Sequence, residues 1–579
     1  MNKLILILLS VAFVFAGCEE LITPVDENDR TLEDIYDDAI FAEGLLLNAY
    51  TRIPTNSYSF NDVATDNAVT NDKSSSLLQM ATGQWSAINN PVDQWENAYT
   101  AITYLNRFLA ETDSVEWSYL SDTVNYLFNQ RHKGEAYALR AFFMFHLLQA
   151  HGGYDASGQL LGVPIITETL EEGSDFWKPR NTFEECMQQI YSDLDQAEKF
   201  LPLNYVKLKK ETDLPEQYKG FRIEDYNRVF GKDSRLLVSG QVVNAIRAKA
   251  AFLAASPAYS DGTTTTWENA ANYAAEVLNE IGGISGLDLR GALFFKYFDA
   301  VNLVSDKDQA EMLLRTSKEG GSGSNNLESD NFPPSLFGNG RVNPTQNLVD
   351  AFPMANGYPI NDPNSGFNPY RPYENRDPRL KNYIIVNGSY FSGDSMNLTE
   401  GVNSVDYLPT STRTGYYLRK LLREDVNLDP ASLLSKIHYY PHIRYTEIFL
   451  IYAEAANEAW GPDGSGPNSF SARDVIAAIR DRAGIVQPDN YLSSITTKEE
   501  MRELIRNERR LELCFEGFRF WDLRRWKANL TEPAMGVRIV DSTYTTVQVE
   551  SRLYKDYMNY PPLPYYEVLK GNLIQNNGW

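Results

Sequence analysis

Alanine recurs at helical spacing between Val238 and Ser256, at positions 245, 248, 251, 254 and 255. Side chains this small along one face let a second helix approach closely. A partner follows at once. Pro257 ends the first segment, and Trp267, Ala270, Ala271, Ala274 and Val277 mark another amphipathic helix. A similar pair recurs at Tyr445–Trp460 with Ser471–Gly484, and another at Glu135–Gln149 with Phe183–Phe200. Thr182 as N-cap, with Glu185 three residues on, predicts a capping box for the helix that runs to Phe200. Two further helices are expected, one from near Leu32 through Ile35, Ala39, Ala42, Leu46 and Tyr50, and one through Trp95, Tyr99, Ile102, Leu105 and Phe108.

Such pairs suggest tetratricopeptide-like repeats, although no strict period of about 34 residues is visible. Two long stretches break the pattern. Ile53–Pro91 is rich in Asn, Asp, Ser and Thr, and loops of that length are uncommon unless they are functional. Glu319–Asn343 is glycine-rich with Phe332 and Phe337, and from Asn343 to about Tyr440 helical signals are sparse while Pro, Gly, Asn and Tyr are frequent. The expected fold is mainly α, with helix pairs forming a scaffold for an irregular, loop-rich region that carries a few short strands. The loop-rich region lies around residues 53–91 and 319–440, within a single domain over residues 32–579.

The N-terminus sets the compartment. Lys3 precedes Leu4–Cys18, an uncharged and almost wholly apolar run too short to span a membrane as a helix. Ala16 and Gly17 precede Cys18, which suits a lipoprotein signal over residues 1–17, with the Cys18 thiol acylated. Residues 18–31 then form an acidic tether that begins with Glu19 and Glu20. No other stretch reaches membrane-span length, so lipid is the expected anchor. The formal charge of −24 disfavours nucleic acid as a partner. Cys186 and Cys514, the remaining cysteines, read as buried thiols.

Motifs for catalysis are not found. The five histidines form no HExxH, and Pro441 between His438 and His442 argues against a zinc-binding helix. There is no G-x-S-x-G elbow, P-loop or EF-hand pattern. The expectation is a protein without catalytic residues, metal or cofactor. With 77 carboxylates, however, a glycoside hydrolase is not excluded by counting.

Asn507–Trp526 reads NERRLELCFEGFRFWDLRRW, with Leu504, Leu511, Phe515 and Phe518 as an apolar stripe. Seven arginines between Arg502 and Arg525 alternate with Glu503, Glu508, Glu512, Glu516 and Asp522, so local ion pairs account for them better than a basic patch. Glu508 falls on the stripe itself and requires an arginine partner if the helix is buried.

This segment resembles the signature of the SusD/RagB family of outer-membrane nutrient-binding lipoproteins. Other elements are similar to family blocks and stand in the same order. They are Trp95-x₃-Tyr99 with Asn106, Leu139–Phe143 followed by Gly152–Gly153 and Gly162–Ile165, Pro344–Phe352 with Asn375–Leu380, and Leu563–Glu567 with Asn572–Trp579. The resemblance implies four tetratricopeptide-like helix pairs. It also implies a lipid-anchored protein on the outer face of the outer membrane, seated over a TonB-dependent transporter of the SusC type, to which it delivers oligosaccharides or peptides. A surface glycoside hydrolase and a helical-repeat scaffold that binds only proteins are the alternatives.

A sugar site needs flat aromatic faces with Asp, Asn or Arg for the hydroxyls. In the first irregular stretch the candidates are Trp85, Asp66 and Asn67. In the second they are Phe332, Phe337, Asn339 and Arg341, while Tyr58 and Phe60 are weaker. Trp95 is expected in the core.

Overall fold

The computed structural model describes residues 38–297, 310–316 and 324–579. The signal, Cys18, the tether and the expected helix start near Leu32 lie outside the described residues. Among those residues, four pairs of longer helices stack in chain order. The pairs are α1 (Ala39–Thr51) with α2 (Trp95–Glu111), α3 (Asp122–His151) with α4 (Phe183–Phe200), α5 (Gly240–Ala255) with α6 (Trp267–Asn279), and α7 (Tyr445–Trp460) with α8 (Ala472–Ala483). Each pair packs on the next, through α2 on α3, α4 on α5 and α6 on α7, which is the nearest-neighbour logic of a solenoid.

The local signals explain the helix ends. Thr182 Oγ1 accepts the Glu185 amide at 3.2 Å while the Glu185 carboxylate accepts the Thr182 amide at 2.8 Å, completing the capping box of α4. Helix α8 ends at Gly484, whose φ of +90° is the left-handed conformation that glycine adopts without strain. The alanines of α5 are all buried, as close packing against α6 requires. Helix α3 is longer than its apolar pattern suggests and begins at Asp122, capped by Ser121. Its buried Arg131, His132 and Glu135 interrupt the apolar face, which is why periodicity becomes legible only near Gly134.

The remaining chain lies on this scaffold as short elements. β1 (Ala68–Thr70) pairs antiparallel with β3 (Val342–Pro344), and β2 (Met312–Arg315) pairs with β4 (Pro441–Arg444). The hairpin of β5 (Ala534–Val540) and β6 (Thr543–Glu550) has no counterpart in the sequence reading. Its two connecting residues, Asp541 and Ser542, both have positive φ (46° and 60°), as a two-residue hairpin loop of type I′ demands.

One large apolar core fills the helical stack, and a second lies under the irregular region around Leu348, Tyr383, Ile384, Tyr417 and Phe391. Helix α9 (Lys498–Glu512) joins them. Met501, Leu504 and Ile505 belong to the first core, while Leu511 and the following Cys514 and Phe515 belong to the second.

The charged residues of the signature face that junction. Glu508 is fully buried and receives Arg379 at 2.9 Å and Arg480 at 2.8 Å, the arginine partners its position on the stripe required. Glu512 receives Arg379 at 3.1 Å and Arg482 at 3.0 Å, and Glu516 receives Arg444 and Lys420, each at 2.7 Å. The expectation of local pairs holds for Arg509 and Arg525, which both bind Asp522 at 2.8 Å. Most of the other buried partners come from distant segments, so these charges stitch the irregular region to the scaffold.

This arrangement sets an acid limit. Burial alone would raise the Glu512 pKa, but Arg482, Arg379, Arg444 and Lys420 outweigh it and hold the group at about 2, below its ordinary 4.5. A depressed carboxylate contributes its stability above the unfolded value and loses it as pH falls through the folded one. Urea unfolding at stepped pH is therefore expected to show stability falling from about pH 4.5 toward 2, with a shallower fall in Glu512→Gln.

Candidate ligand-binding site

The pairing of β1 with β3 joins the two long irregular stretches, placing Thr70 opposite Val342. Loops beyond the paired strands are tied together by side-chain amides. Asn71 Nδ2 donates to the carbonyls of Asn339 and Gly340, both at 2.9 Å, and of Ser411 at 3.3 Å. Asn403 exchanges bonds with Ser335, accepting its amide at 3.0 Å and donating to its hydroxyl at 2.7 Å. The turn Pro334–Leu336 is thereby fastened to the turn Gly401–Asn403.

Phe337 ends the first of these turns with φ of +64°, and its ring is 60 % exposed. A bulky residue in the left-handed region is strained, and such strain clusters at ligand sites. Tyr407 is also exposed, on the chain leading from the Gly401–Asn403 turn. Asn339 and Arg341 follow Phe337 and remain partly accessible. Asp72 stands at the end of β1. Its carboxyl is held below the ordinary range by bonds from the Ser74 hydroxyl and amide, with Arg341 adding to the effect. An exposed ring near a carboxylate, a guanidinium and an amide is a combination suited to the C–H face and hydroxyl edge of a sugar.

Four of the sequence candidates take other roles. Trp85 is 4 % exposed and packs edge-on against Phe520, Tyr554 and Trp579, with centroids 5.9, 6.0 and 4.9 Å away. Its indole N–H donates to Asn90 at 3.0 Å, so neither face nor edge is free for a ligand. Phe332 is buried against Phe391 in the second core. Asn67 is buried between Asp62 and Arg510, at 3.0 and 2.7 Å. Asp66 accepts Arg519 at 2.8 Å and Arg510 at 2.9 Å; burial would raise its pKa, and these two arginines outweigh that. Asp66 and Asn67 therefore anchor the loops to the signature segment. Of the sequence candidates, Phe337, Asn339 and Arg341 are the ones left accessible at the loop face. Asp72 and Tyr407 are accessible positions that the sequence candidates do not include; the excess of Tyr and Asn over residues 343–440 is a compositional hint for Tyr407 alone.

Trp95 lies in the helical core, as its spacing predicted. Cys186 and Cys514 are free and buried, and burial pushes both thiols up to about 12. His442 Nδ1 shares a hydrogen bond with Thr55 at 2.7 Å, and His438 Nε2 meets Glu328 at 3.0 Å. Among the described residues, no group of three or more His, Cys, Asp or Glu could hold a metal ion.

This stack of helix pairs carrying an irregular region is a fold shared with solved SusD-like proteins. The SusD family model matches residues 308–579, and a second, described as starch-binding associating with outer membrane, matches residues 27–213. The chain belongs to the SusD/RagB family. It is similar to SusD-like protein P38 of Formosa agariphila, with 24% identity over 449 residues, covering 75% of this chain and 71% of that protein. Its fold is similar to that of a SusD-like protein from Bacteroides fragilis, with TM-score 0.72 and 23% identity, covering 96% of this chain and 100% of the other. A SusD-like carbohydrate binding protein from the same organism has TM-score 0.67 and 20% identity, covering 92% of this chain and 98% of its own.

Proposed function

We propose that the protein binds an oligosaccharide at the loop face and delivers it to a TonB-dependent outer-membrane transporter of the SusC type, without chemically altering it. The observation that carries this reading is the convergence of exposed Phe337 with partly accessible Asn339, Arg341 and Asp72 where β1 meets β3. The similar Bacteroides fragilis protein described as carbohydrate-binding and the starch-binding family description support a glycan over a peptide. Among the described residues, no helix is long and apolar enough to cross a membrane. Acylation of Cys18 would supply the attachment, holding the protein on the external face of the outer membrane.

A glycan array with the soluble protein lacking Cys18 identifies the ligand. Calorimetry with that ligand is then expected to show affinity about five- to tenfold weaker in Phe337→Ala, the value of roughly 1 kcal/mol for one aromatic contact. The melting temperature should not change, because the ring is exposed. Unchanged affinity would remove Phe337 from the site. Binding of peptides alone, or release of reducing sugar, would overturn the reading.

A further inference from the structure

A cavity of about 420 Å³ lies where residues 54–61, α3, α5, α7 and the signature segment meet. It shares no residue with the loop face. Phe145, Phe252, Phe518 and Trp521 supply aromatic walls. Five polar atoms of its lining residues have no hydrogen-bond partner within the protein. They are Tyr58 Oη, Asn61 Oδ1, His146 Nε2, Glu447 Oε2 and Arg509 Nη1. Four of these side chains are more than nine-tenths buried, with exposures of 3 % for Asn61, 9 % for His146, 2 % for Glu447 and 3 % for Arg509. Buried polar atoms are almost always satisfied in folded proteins, so a cluster of atoms around one cavity with no partner in the protein calls for water or a ligand to satisfy them.

The chemistry of the lining selects the ligand. Its charges are matched within the protein: Lys249 pairs with Glu447, Arg509 with Asp522 at 2.8 Å, and Arg444 with Glu516 at 2.7 Å. Arg525 is likewise held by Glu454 at 2.6 Å and Asp522 at 2.8 Å. Burial, with Lys249 nearby, lowers the His146 pKa to about 3, so its ring is neutral and Nε2 can give or take one hydrogen bond. What remains is a charge-balanced set of donors and acceptors between aromatic faces, in a volume within the usual range for small-molecule sites. A charged ligand would find no counter-ion there, and a hydrocarbon would leave the five atoms unpaired.

The rim is made of small residues, Ser57, Ser59, Ser76 and Gly517. Gly517 has φ of +88°, and a Cβ there would stand 2.9 Å from Ser59 Oγ. Its carbonyl accepts Asn61 Nδ2 at 3.2 Å, fastening the lip of the cavity to the signature segment.

We infer that this cavity is a second carbohydrate site, which takes one neutral sugar ring, such as the free end of an oligosaccharide. The inference rests on the glycan-binding reading for its ligand class.

Saturation-transfer NMR with free glucose, galactose, mannose and xylose, each tested singly, checks it. Transfer is expected for at least one sugar in the wild-type protein and in Phe337→Ala, and about fivefold weaker binding in Tyr58→Phe, the loss of one hydrogen bond. Tyr58→Phe removes a hydroxyl that has no hydrogen-bond partner within the protein, so its thermal stability should not fall. Trp521→Ala, which removes a half-buried wall, is the second variant and should weaken the same transfer. Transfer from none of the four sugars, or transfer that both cavity variants leave intact, would overturn the second site. Transfer lost in Phe337→Ala alone would place the sugar on the loop face, sinking this inference and sparing the proposed function. Transfer abolished by the cavity variants, with the array ligand indifferent to Phe337→Ala, would do the reverse.

Discussion

Replacing Arg379 with alanine is expected to be the most damaging single change in the irregular region. Its guanidinium is buried and meets Asp377 at 2.6 Å, Glu508 at 2.9 Å and Glu512 at 3.1 Å. Removing the cation leaves three desolvated carboxylates to share the arginines that remain. Breaking a buried ion pair on one side costs about 3–5 kcal/mol, because the uncompensated charge stays in the interior. Urea unfolding should show a loss of that size. Arg379→Lys should restore only part of it, since an ammonium cannot bridge several carboxylates as a planar fork does. A loss too small to measure would mean that water reaches the cluster and that the junction between the two cores is looser than drawn. The exposed pair Arg371–Glu374 is the control, and its removal should not register.

Trp85→Ala is the second large effect, and its direction separates core from ligand platform. The indole does more than fill space: Arg524, buried and with its pKa lowered by that burial to about 10, lies 5.1 Å from the Trp85 ring centroid, 5.0 Å from Tyr554 and 3.4 Å from Phe520. Truncation opens a cavity and strips one aromatic face from a buried cation. Large aromatic-to-alanine changes in a core cost about 3–5 kcal/mol, and the cation–π contribution adds to this. Chemical denaturation should report the loss, while the folded fraction keeps its glycan affinity. Weakened binding at full stability would return Trp85 to the site.

The helical half of this fold is legible in the sequence because its causes are local. The spacing of Trp95, Tyr99 and Ile102, the alanines of α5 and the Thr182–Glu185 box each state their structure within a few residues. The irregular half is not, because its causes are remote. Trp85 sits in a polar stretch that reads as a surface loop, and its packing partners Phe520, Tyr554 and Trp579 are supplied by the far end of the chain. Asp66 and Asn67 look like ligand acceptors until Arg510 and Arg519 are placed beside them. Composition alone cannot distinguish a carboxylate offered to solvent from one already claimed by an arginine. The β5–β6 hairpin was more accessible: Val537, Ile539, Val547 and Val549 alternate with polar residues around Asp541–Ser542, a pattern of period two that a search for helices passes over.

The three-residue pairing of β1 with β3 also bears on how the molecule matures. Thr70 and Val342 are about 270 positions apart, and closing so long a loop must precede any reward from the contact. Helices α1 to α6 can form from neighbouring sequence, whereas the loop face has no existence until the C-terminal half has been delivered and folded against them. A chain that ends before Val342 would contain helices α1 to α6 and lack the β1–β3 pairing on which the loop face depends. If the loop face holds the glycan as proposed, ligand retention is a measure of completed synthesis, and a pull-down on immobilised glycan is expected to sort finished molecules from unfinished ones.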